Sequence, residues 1–419
     1  MQTLAVEVTQ GPDNGRRVEA KEDRLTVGTA LGNDLVLTDP TVSRYHLELS
    51  SDDGGVWIRD LGSRNGTVAG SVFIECGRVP VGAELSLGRS RLRVLDGAER
   101  EVEGHSGPVL SGMLGDATSM RRLMGTIRRV AQTGVPALIT GESGTGKELA
   151  ARALHAQSPR VGKPFVVVDC AALTPSLVAS ALFGHERGAF TGADQRYAGA
   201  FERAHGGSVF LDEIGELSLE LQPLLLGVLD RKRFLPLGAS QELSVDVRIL
   251  AATNRDLRGE VNRGAFREDL FHRLAVVNLE LPPLRDRLGD LPLLAEHFLR
   301  EAGSAAPFEE VFTPPLLEQM QRHAWPGNVR ELRNFIEAML VIGEQPLPQS
   351  ARSMVALALP PELLDRPYSD ARAEVLNAFE RRYLANLLSG AHGNVSGAAR
   401  RASMDRSYLI KLLERHGLK

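Results

Sequence analysis

Apolar positions along the chain follow one rhythm up to about residue 96 and another after it. In the first stretch, short runs rich in apolar and β-branched residues recur at Leu4–Val8, Arg24–Val27, Asp34–Leu37, His46–Leu49 and Gly55–Ile58. Turn formers separate them, as in Asp13-Asn14-Gly15, Gly32-Asn33-Asp34 and Asp52-Asp53-Gly54-Gly55. Gly, Asn and Asp tolerate the backbone angles that reverse a chain. Short strands at regular spacing predict an all-β sandwich over residues 1–97. Residues 97–110 are polar and Gly-rich and read as a linker.

From about Leu110 to Glu344 continuous apolar runs alternate with longer helical stretches. The runs are Val135–Thr140, Pro164–Val168, Ser208–Leu211 and Val247–Ala251, and a helix is predicted from Glu148 to Ala156. Strands that are apolar throughout, separated by helices, predict a parallel sheet covered on both faces. Beyond about Asp290 the pattern is helical only. This gives an α/β domain over 111–345 with a helical end. Residues 345–368 carry Pro346, Pro348, Pro360, Pro361 and Pro367 and read as a second linker. Residues 369–419 hold three helical patterns and predict a small all-α domain. No internal repeat is visible.

Composition adds little to this until it is divided. The chain of 419 residues is 43% apolar and 24% charged, an ordinary globular balance, with a formal charge of −4. That charge is −3 for residues 1–97 (11 − 14), −5 for 98–369 (29 − 34) and +4 for 370–419 (9 − 5). A wholly basic nucleic-acid coat is excluded, but a basic C-terminal module is not. Cys76 and Cys170 are the only cysteines, which excludes a disulfide framework and points to a reducing compartment. No apolar run reaches the length of a membrane helix, and the N-terminus lacks the pattern of a signal peptide. A soluble cytoplasmic protein without membrane contact is expected.

Gly141-Glu142-Ser143-Gly144-Thr145-Gly146-Lys147 follows an apolar strand and opens a helix. That is the setting of a phosphate loop, where backbone N–H groups and the helix N-terminus cradle phosphates and Lys147 reaches the outer ones. The general pattern has Ser or Thr next, for Mg²⁺, and here Glu148 stands. Val209-Phe210-Leu211-Asp212-Glu213 ends another strand with two carboxylates. Asp212 would hold Mg²⁺ and Glu213 would polarise an attacking water. A further strand ends in Thr253-Asn254, at the sheet edge where ligands bind. Asn254 would orient the water or serve only as a turn former.

Together with those motifs, Gly188-Ala189-Phe190-Thr191-Gly192-Ala193 identifies a resemblance to the sigma-54-dependent transcription activators, the bacterial enhancer-binding proteins. Leu182–Glu186 precedes that loop as in the family. Phe266–Leu274 resembles its arginine-finger region and Trp325–Leu332 its second sensor. The resemblance covers about 235 residues of AAA+ domain, in order. It implies that Gly141 through Lys147, Glu148 and Arg330 bind ATP, and that Asp212 and Glu213 serve Mg²⁺ and hydrolysis. Asn254 is then the first sensor. Arg267 and Arg273 would act on a neighbouring subunit's ATP, which implies a homo-oligomeric ring, in this family a hexamer. Gly188 through Ala193 would grip sigma-54 RNA polymerase. In the family Glu commonly follows the P-loop Lys, so Glu148 fits. An Asn commonly stands where this chain has Asp169, so the switch on the catalytic Glu differs here.

The two ends resemble further modules. Gly28, Ser43-Arg44-Tyr45-His46 and Gly62-Ser63-Arg64-Asn65-Gly66-Thr67 fit a forkhead-associated (FHA) domain. That implies capture of a phosphothreonine protein, with phosphate at Ser43 and Arg44, help from Ser63 and Arg64, and peptide backbone at Asn65. His46 would support the fold. The family usually has Arg directly after the first Gly. Here it is Thr29, so one guanidinium is missing. Asn394–Ala402, a turn at Ser403-Met404, and a helix capped by Asp405 resemble a Fis-type helix-turn-helix. Arg406, Ser407, Tyr408 and Lys411 would then meet enhancer DNA bases and phosphates, and Arg400 and Arg401 phosphates. The expected protein is multidomain: an FHA sandwich, an α/β AAA+ domain with helical lid, and an all-α DNA-binding module. The alternatives are a DNA-binding regulator without sigma-54 contact and a phosphopeptide-binding scaffold without turnover.

Overall fold

The computed structural model describes residues 2–342, apart from 21–23, 53–54, 100–104, 172–173 and 305, together with isolated positions beyond 342. Eleven strands build the N-terminal region: β1 (Gln2–Gln10), β2 (Arg17–Glu19), β3 (Arg24–Gly28), β4 (Leu35–Val36), β5 (Leu47–Asp52), β6 (Gly55–Asp60), β7 (Thr67–Ala69), β8 (Val72–Ile74), β9 (Cys76–Val79), β10 (Glu84–Leu87) and β11 (Ser90–Glu99). They form two sheets, ordered β2-β1-β11-β10-β7-β8 and β4-β3-β5-β6-β9. Alternate residues of each strand point inward, so Leu4, Val6 and Val8 meet Leu25, Val27, Leu47, Leu49, Ile58 and Leu92 in one buried cluster. The apolar pattern does not single out β2 or β7 to β11. β2 and β7 to β10 are three or four residues long, β8 leaves Val72 and Phe73 exposed, and β11 is missed despite its length.

The loops at one end of this sandwich are held by buried polar groups. His46 Nδ1 accepts from Ser43 N at 3.1 Å, and its Nε2 lies 3.2 Å from the carbonyl of Gly66. The Asp60 carboxylate accepts from Ser63 N, Ser63 Oγ and Thr67 Oγ1, each at 2.7 Å. At Gly28 a Cβ would stand 2.1 Å from the carbonyl oxygen of Arg44, so the approach of the two loops requires glycine.

The second region begins with a short hairpin, β12 (Val109–Leu110) and β13 (Met113–Leu114), and helix α1 (Thr118–Ala131). There follow β14 (Ala137–Thr140), α2 (Lys147–Ala156), β15 (Phe165–Asp169), α3 (Pro175–Phe183), α4 (Ala200–Arg203), β16 (Ser208–Asp212) and α5 (Gln222–Arg231). After the paired β17 (Arg233–Phe234) and β18 (Leu243–Ser244) come β19 (Arg248–Thr253), α6 (Leu257–Arg263), α7 (Glu268–Leu274) and β20 (Val277–Glu280). Five strands make one parallel sheet in the order β15-β16-β19-β14-β20. Separate apolar clusters cover its two faces, as continuous apolar strands require. Parallel pairing puts the carboxyl ends of β14, β15, β16 and β19 on one edge. Beneath the sheet the buried Arg248 donates to the carbonyls of Val130, Ala131 and Val135, tying the end of α1 to the start of β19.

Four helices complete the region: α8 (Leu291–Glu301), α9 (Phe308–Val311), α10 (Pro314–Arg322) and α11 (Asn328–Ile342). They pack around the fully buried Trp325, whose indole N–H donates to the carbonyl of Met320 at 2.8 Å. Residues 349–419 form a separate unit. Its described residues include Leu384, Leu409, Leu412 and Leu413, buried together with Val395 and Met404 packed on them. The helix-turn-helix positions Arg400, Arg401, Arg406, Ser407, Tyr408 and Lys411 lie outside the described residues.

Candidate nucleotide-binding site

The loop from Gly141 to Gly146 joins β14 to α2 on backbone angles that side chains rarely adopt: φ is +154° at Gly141, +79° at Gly144 and +107° at Gly146. Gly144 also has no room. A Cβ there would lie 2.2 Å from the carbonyl oxygen of Gly327, on the lid. The loop is bound to the lid on several atoms. Val329 N donates to the Gly144 carbonyl at 3.0 Å, Asn328 Nδ2 to the Ser143 carbonyl at 3.0 Å, and Arg330 Nη1 to Ser143 Oγ at 3.0 Å. Glu142 takes a bidentate pair from Arg285 at 2.7 and 2.9 Å, plus Asn328 Nδ2 at 3.1 Å. The buried Arg287 donates to the Thr145 carbonyl from beneath, at 3.0 Å. Asn328 stands within the Trp325–Leu332 motif, whereas Arg285 and Arg287 carry no local signal, because each is recognisable only by what it meets across the fold.

Lys147 opens α2 and is buried, with Nζ 3.1 Å from the Gly141 carbonyl, 3.4 Å from that of Glu142 and 3.5 Å from Glu213 Oε1. Glu213 has φ of +49°, a left-handed conformation that costs a non-glycine residue about 1–2 kcal/mol. Its other carboxylate oxygen accepts from the backbone N–H of Asn254 at 3.2 Å. Asp212 precedes it at the end of β16, beside Asp169 in the β15–β16 register. Burial pushes the Asp212 carboxyl above the usual carboxylate range, as do the Glu213 and Asp169 charges, against the pull of Lys147 and a hydrogen bond from Glu213 N. Burial likewise pushes the Cys170 thiol up to about 12. Asp169 Oδ1 accepts from Ala171 N at 2.8 Å. Glu148, exposed on the first turn of α2, pairs with Arg152 at 2.7 Å. Lys147, Asp212, Glu213, Asn254, Ser143 and Arg330 are thus brought to one edge of the sheet from four elements.

A cation and phosphates fit this chemistry. Glycine backbone surrounds Lys147, whose Nζ meets the Gly141 and Glu142 carbonyls and the Glu213 carboxylate, and Asp212 is crowded by the charges of Glu213 and Asp169. Among the described residues no cluster of three or more His, Cys, Asp or Glu forms a metal cage, so Asp212 would hold Mg²⁺ jointly with phosphate oxygens. Beside the loop, Met113, Leu114, Met120, Gly146, Leu149, Phe298 and Val329 line an apolar cavity of about 70 Å³.

The other expected site residues lie elsewhere on the same unit. Arg267 caps α7 and pairs with Asp269 at 2.7 Å, and Arg273 pairs with Asp230 at 2.8 Å. In the 188–193 loop Gly188 and Gly192 have φ of +82° and +97°. Its base is closed by Gly188 N to Ala193 O at 2.8 Å and Ala189 N to Glu186 O at 3.2 Å. Phe190 and Thr191 stand exposed at the tip, the Phe190 ring edge-on to His185 at 4.9 Å. In the sandwich, Ser43 Oγ accepts from Arg64 N, Ser63 Oγ is committed to Asp60 and Gly66, and Asn65 Nδ2 donates to the Thr41 carbonyl. Arg44 reaches out of the sandwich, its Nη2 donating to the Val261 carbonyl at 2.6 Å and Nη1 to Glu268 at 3.2 Å.

Comparison with known proteins places this geometry. Residues 113–280 match the family model described as Sigma-54 interaction domain, and residues 285–372 match AAA+ ATPase lid domain. Residues 7–97 match a model described as Inner membrane component of T3SS, cytoplasmic domain. The chain is 45% identical over 300 residues to the transcriptional regulatory protein GlrR of Escherichia coli, covering 71% of this chain and 66% of that protein. It is 45% identical over 307 residues to ZraR of Klebsiella oxytoca, covering 73% and 69%. It therefore spans about two thirds of the length of these curated relatives. A solved structure of NtrX from Brucella abortus in complex with ATP is similar at 38% identity and a TM-score of 0.53, over 73% of this chain and 69% of that one.

Proposed function

The chain belongs to the family of transcriptional regulators that carry the sigma-54 interaction AAA+ domain, and from that premise we propose that it is an ATP-driven activator of sigma-54 RNA polymerase. The observation that carries this reading is the convergence of Lys147, Asp212, Glu213 and the lid's Arg330 on one glycine-built loop. Lys147 and the loop N–H groups bind the phosphates. Glu213, held between Lys147 and the Asn254 N–H, aligns and deprotonates the water. A divalent cation at Asp212 would supply neutralising charge to the phosphate oxygens. Arg330 reports the outer phosphate to the lid. Arg267 and Arg273, exposed on α7, serve a neighbouring subunit's site in a hexameric ring. Asp169, at a position where the resemblance implies Asn, sets a further carboxylate beside Asp212 in the β15–β16 register.

The exposed Phe190 and Thr191, on a loop hinged at Gly188 and Gly192, grip sigma-54. Residues 1–97 act as an FHA domain that takes a phosphothreonine protein at Ser43 and Arg44, with Ser63, Arg64 and Asn65 ordering the loops. Residues 111–345 are the ATPase, and 369–419 bind enhancer DNA through Arg400, Arg401, Arg406, Ser407, Tyr408 and Lys411. Two variants in an ATPase and promoter-opening assay test the core of this. Glu213→Gln should cut turnover by about 10²–10⁴-fold with nucleotide binding kept, the usual worth of a general base. Thr191→Ala should keep ATP hydrolysis and lose promoter opening. Hydrolysis that survives Glu213→Gln unchanged overturns the catalytic assignment. Promoter opening that survives Thr191→Ala removes Thr191 from the sigma-54 grip, and a parent chain that hydrolyses ATP but opens no sigma-54 promoter favours a regulator without sigma-54 contact.

A further inference from the structure

The sandwich lies against α6 and α7 through Arg44, which is assigned to the phosphopeptide, and through its neighbours Tyr45, Glu48 and Leu61. Arg44 spends both ends of its guanidinium there, on the Glu268 carboxylate and the Val261 carbonyl. Tyr45 is fully buried, its ring edge-on to Phe271 at 5.6 Å and its hydroxyl 3.0 Å from His272 Nε2. Asn262 matches the backbone of Tyr45 with both halves of its amide. Nδ2 donates to the Tyr45 carbonyl at 2.5 Å and to the Leu61 carbonyl at 3.1 Å, and Oδ1 accepts from Tyr45 N at 3.4 Å. Arg258 to Glu48 at 2.9 Å and Arg59 to Asp256 at 3.4 Å extend the contact. The approach is close: a Cβ on Gly32 would stand 2.4 Å from the His272 ring.

We propose that the α6–α7 segment is an internal pseudoligand of the phosphopeptide face, so that docking of the finger-bearing helix and capture of a phosphothreonine peptide exclude each other. The proposal rests on the phosphothreonine reading above. Glu268 presents a carboxylate to Arg44 where a phosphate would sit. Asn262 supplies the peptide-like amide. Arg44 has one guanidinium, and it cannot serve a dianionic phosphate while both its ends are held by α6–α7. The carboxylate is the weaker partner, because it carries less charge and the Arg44–Glu268 pair is half exposed, at 46% and 35%. A phosphopeptide therefore displaces it.

The finger arginines, Arg267 and Arg273, sit next to the two docked residues, Glu268 and His272, on the same short helix. The cleft left between sandwich and ATPase domain, about 720 Å³, reaches Gly141, Glu142 and Asn254. The docked sandwich thus stands at the edge of the phosphate site and over one side of the finger helix. Docking holds the ATPase down, and peptide capture releases it. Because the two events are coupled, the factor by which docking weakens the peptide equals the factor by which the peptide opposes docking.

The test uses the full chain and a fluorescent degenerate phosphothreonine peptide pool, with the unphosphorylated pool as control. If docking occupies most molecules, the apparent peptide Kd is raised by the reciprocal of the undocked fraction. Asn262→Ala lies outside the phosphate pocket and should tighten phosphopeptide binding by at least about fivefold, raise basal ATP turnover, and speed amide exchange in residues 256–274. Glu268→Gln, a shape-conserving change, should move all three in the same direction and guards against misfolding of the first variant. Binding as in the parent chain, with unchanged exchange, overturns the pseudoligand and leaves the phosphothreonine reading standing. Failure of the parent chain and both variants to prefer the phosphorylated pool overturns the phosphothreonine reading and the proposal with it.

Discussion

Lys147 finds its loop carbonyl partners five and six residues back along the chain, whereas Tyr45 finds His272 and Asn262 at separations of 227 and 217 residues. The two regions do comparable work, since each fixes charged groups near the same edge of the α/β domain. They differ in how the positions are specified. A phosphate loop is made by consecutive backbone groups, so its geometry demands particular residues in a particular order. The seam between sandwich and α7 is assembled from side chains chosen one at a time, and no local spacing has to be kept. The first kind of site is therefore written in the sequence and the second is only visible in the fold.

The sharpest way to probe that contrast is a glycine at which the two kinds of specification meet. Gly144 belongs to the local motif, yet its Cβ would strike the Gly327 carbonyl at 2.2 Å and Arg330 Cβ at 3.1 Å. Gly144→Ala adds the cost of left-handed backbone, about 1–2 kcal/mol, to a clash that only lid displacement relieves. Nucleotide affinity should fall more than tenfold. Gly188→Ala carries a similar φ of +82° with nothing within 4 Å. It should cost only the backbone part and leave nucleotide affinity unchanged. Equal losses in the two variants, read by nucleotide titration, would remove the lid contact from the account.

What was legible follows the same division. Gly141–Lys147, Asp212-Glu213 and Gly188–Ala193 each concentrate their chemistry in adjacent residues, and alternation of Leu4, Val6 and Val8 marks a half-buried strand. β20 escapes the sequence because Val277–Glu280 is four residues, half of them polar, ahead of Pro282 and Pro283. Its place is fixed by pairing with β14, across about 140 residues of chain. Arg285 and Arg287 escape because an arginine between elements has many uses. Tyr45 reads as part of an FHA signature, and nothing local says that α7 covers it.

A smaller effect tests the crowding at the carboxyl edge. The Asp212 carboxyl is held above the usual carboxylate range by burial and by its acidic neighbours, so the native state keeps its proton to higher pH than the unfolded chain does. Stability from this group is therefore lost as pH rises from about 4 through the native value, and the penalty is complete at neutral pH. Asp212→Asn should unfold at a higher temperature than the parent near pH 7.5, with the difference shrinking toward pH 4, while hydrolysis is lost. A midpoint gain that does not vary with pH would show that volume or hydrogen bonding, not charge, sets the cost.

The smallest expected effect lies on the sandwich side. Burial holds His46 below the ordinary histidine range, although Asp60 and the Gly66 carbonyl pull upward. The unfolded chain takes up that proton first as pH falls, so stability contributed by neutral His46 is present above about pH 6.5 and lost as pH drops through the native value, by at most about 1.4 kcal/mol per pH unit. His155 is also lowered by burial and adds its own share. His46→Gln should therefore flatten only part of the stability slope between pH 7.5 and 5.5. Protonation at Nδ1 also ends its acceptance of the Ser43 N–H, so peptide capture by the parent chain should weaken over the same interval. Equal acid slopes in His46→Gln and the parent would assign the sensitivity to His155 and leave Ser43 held by the rest of its loop.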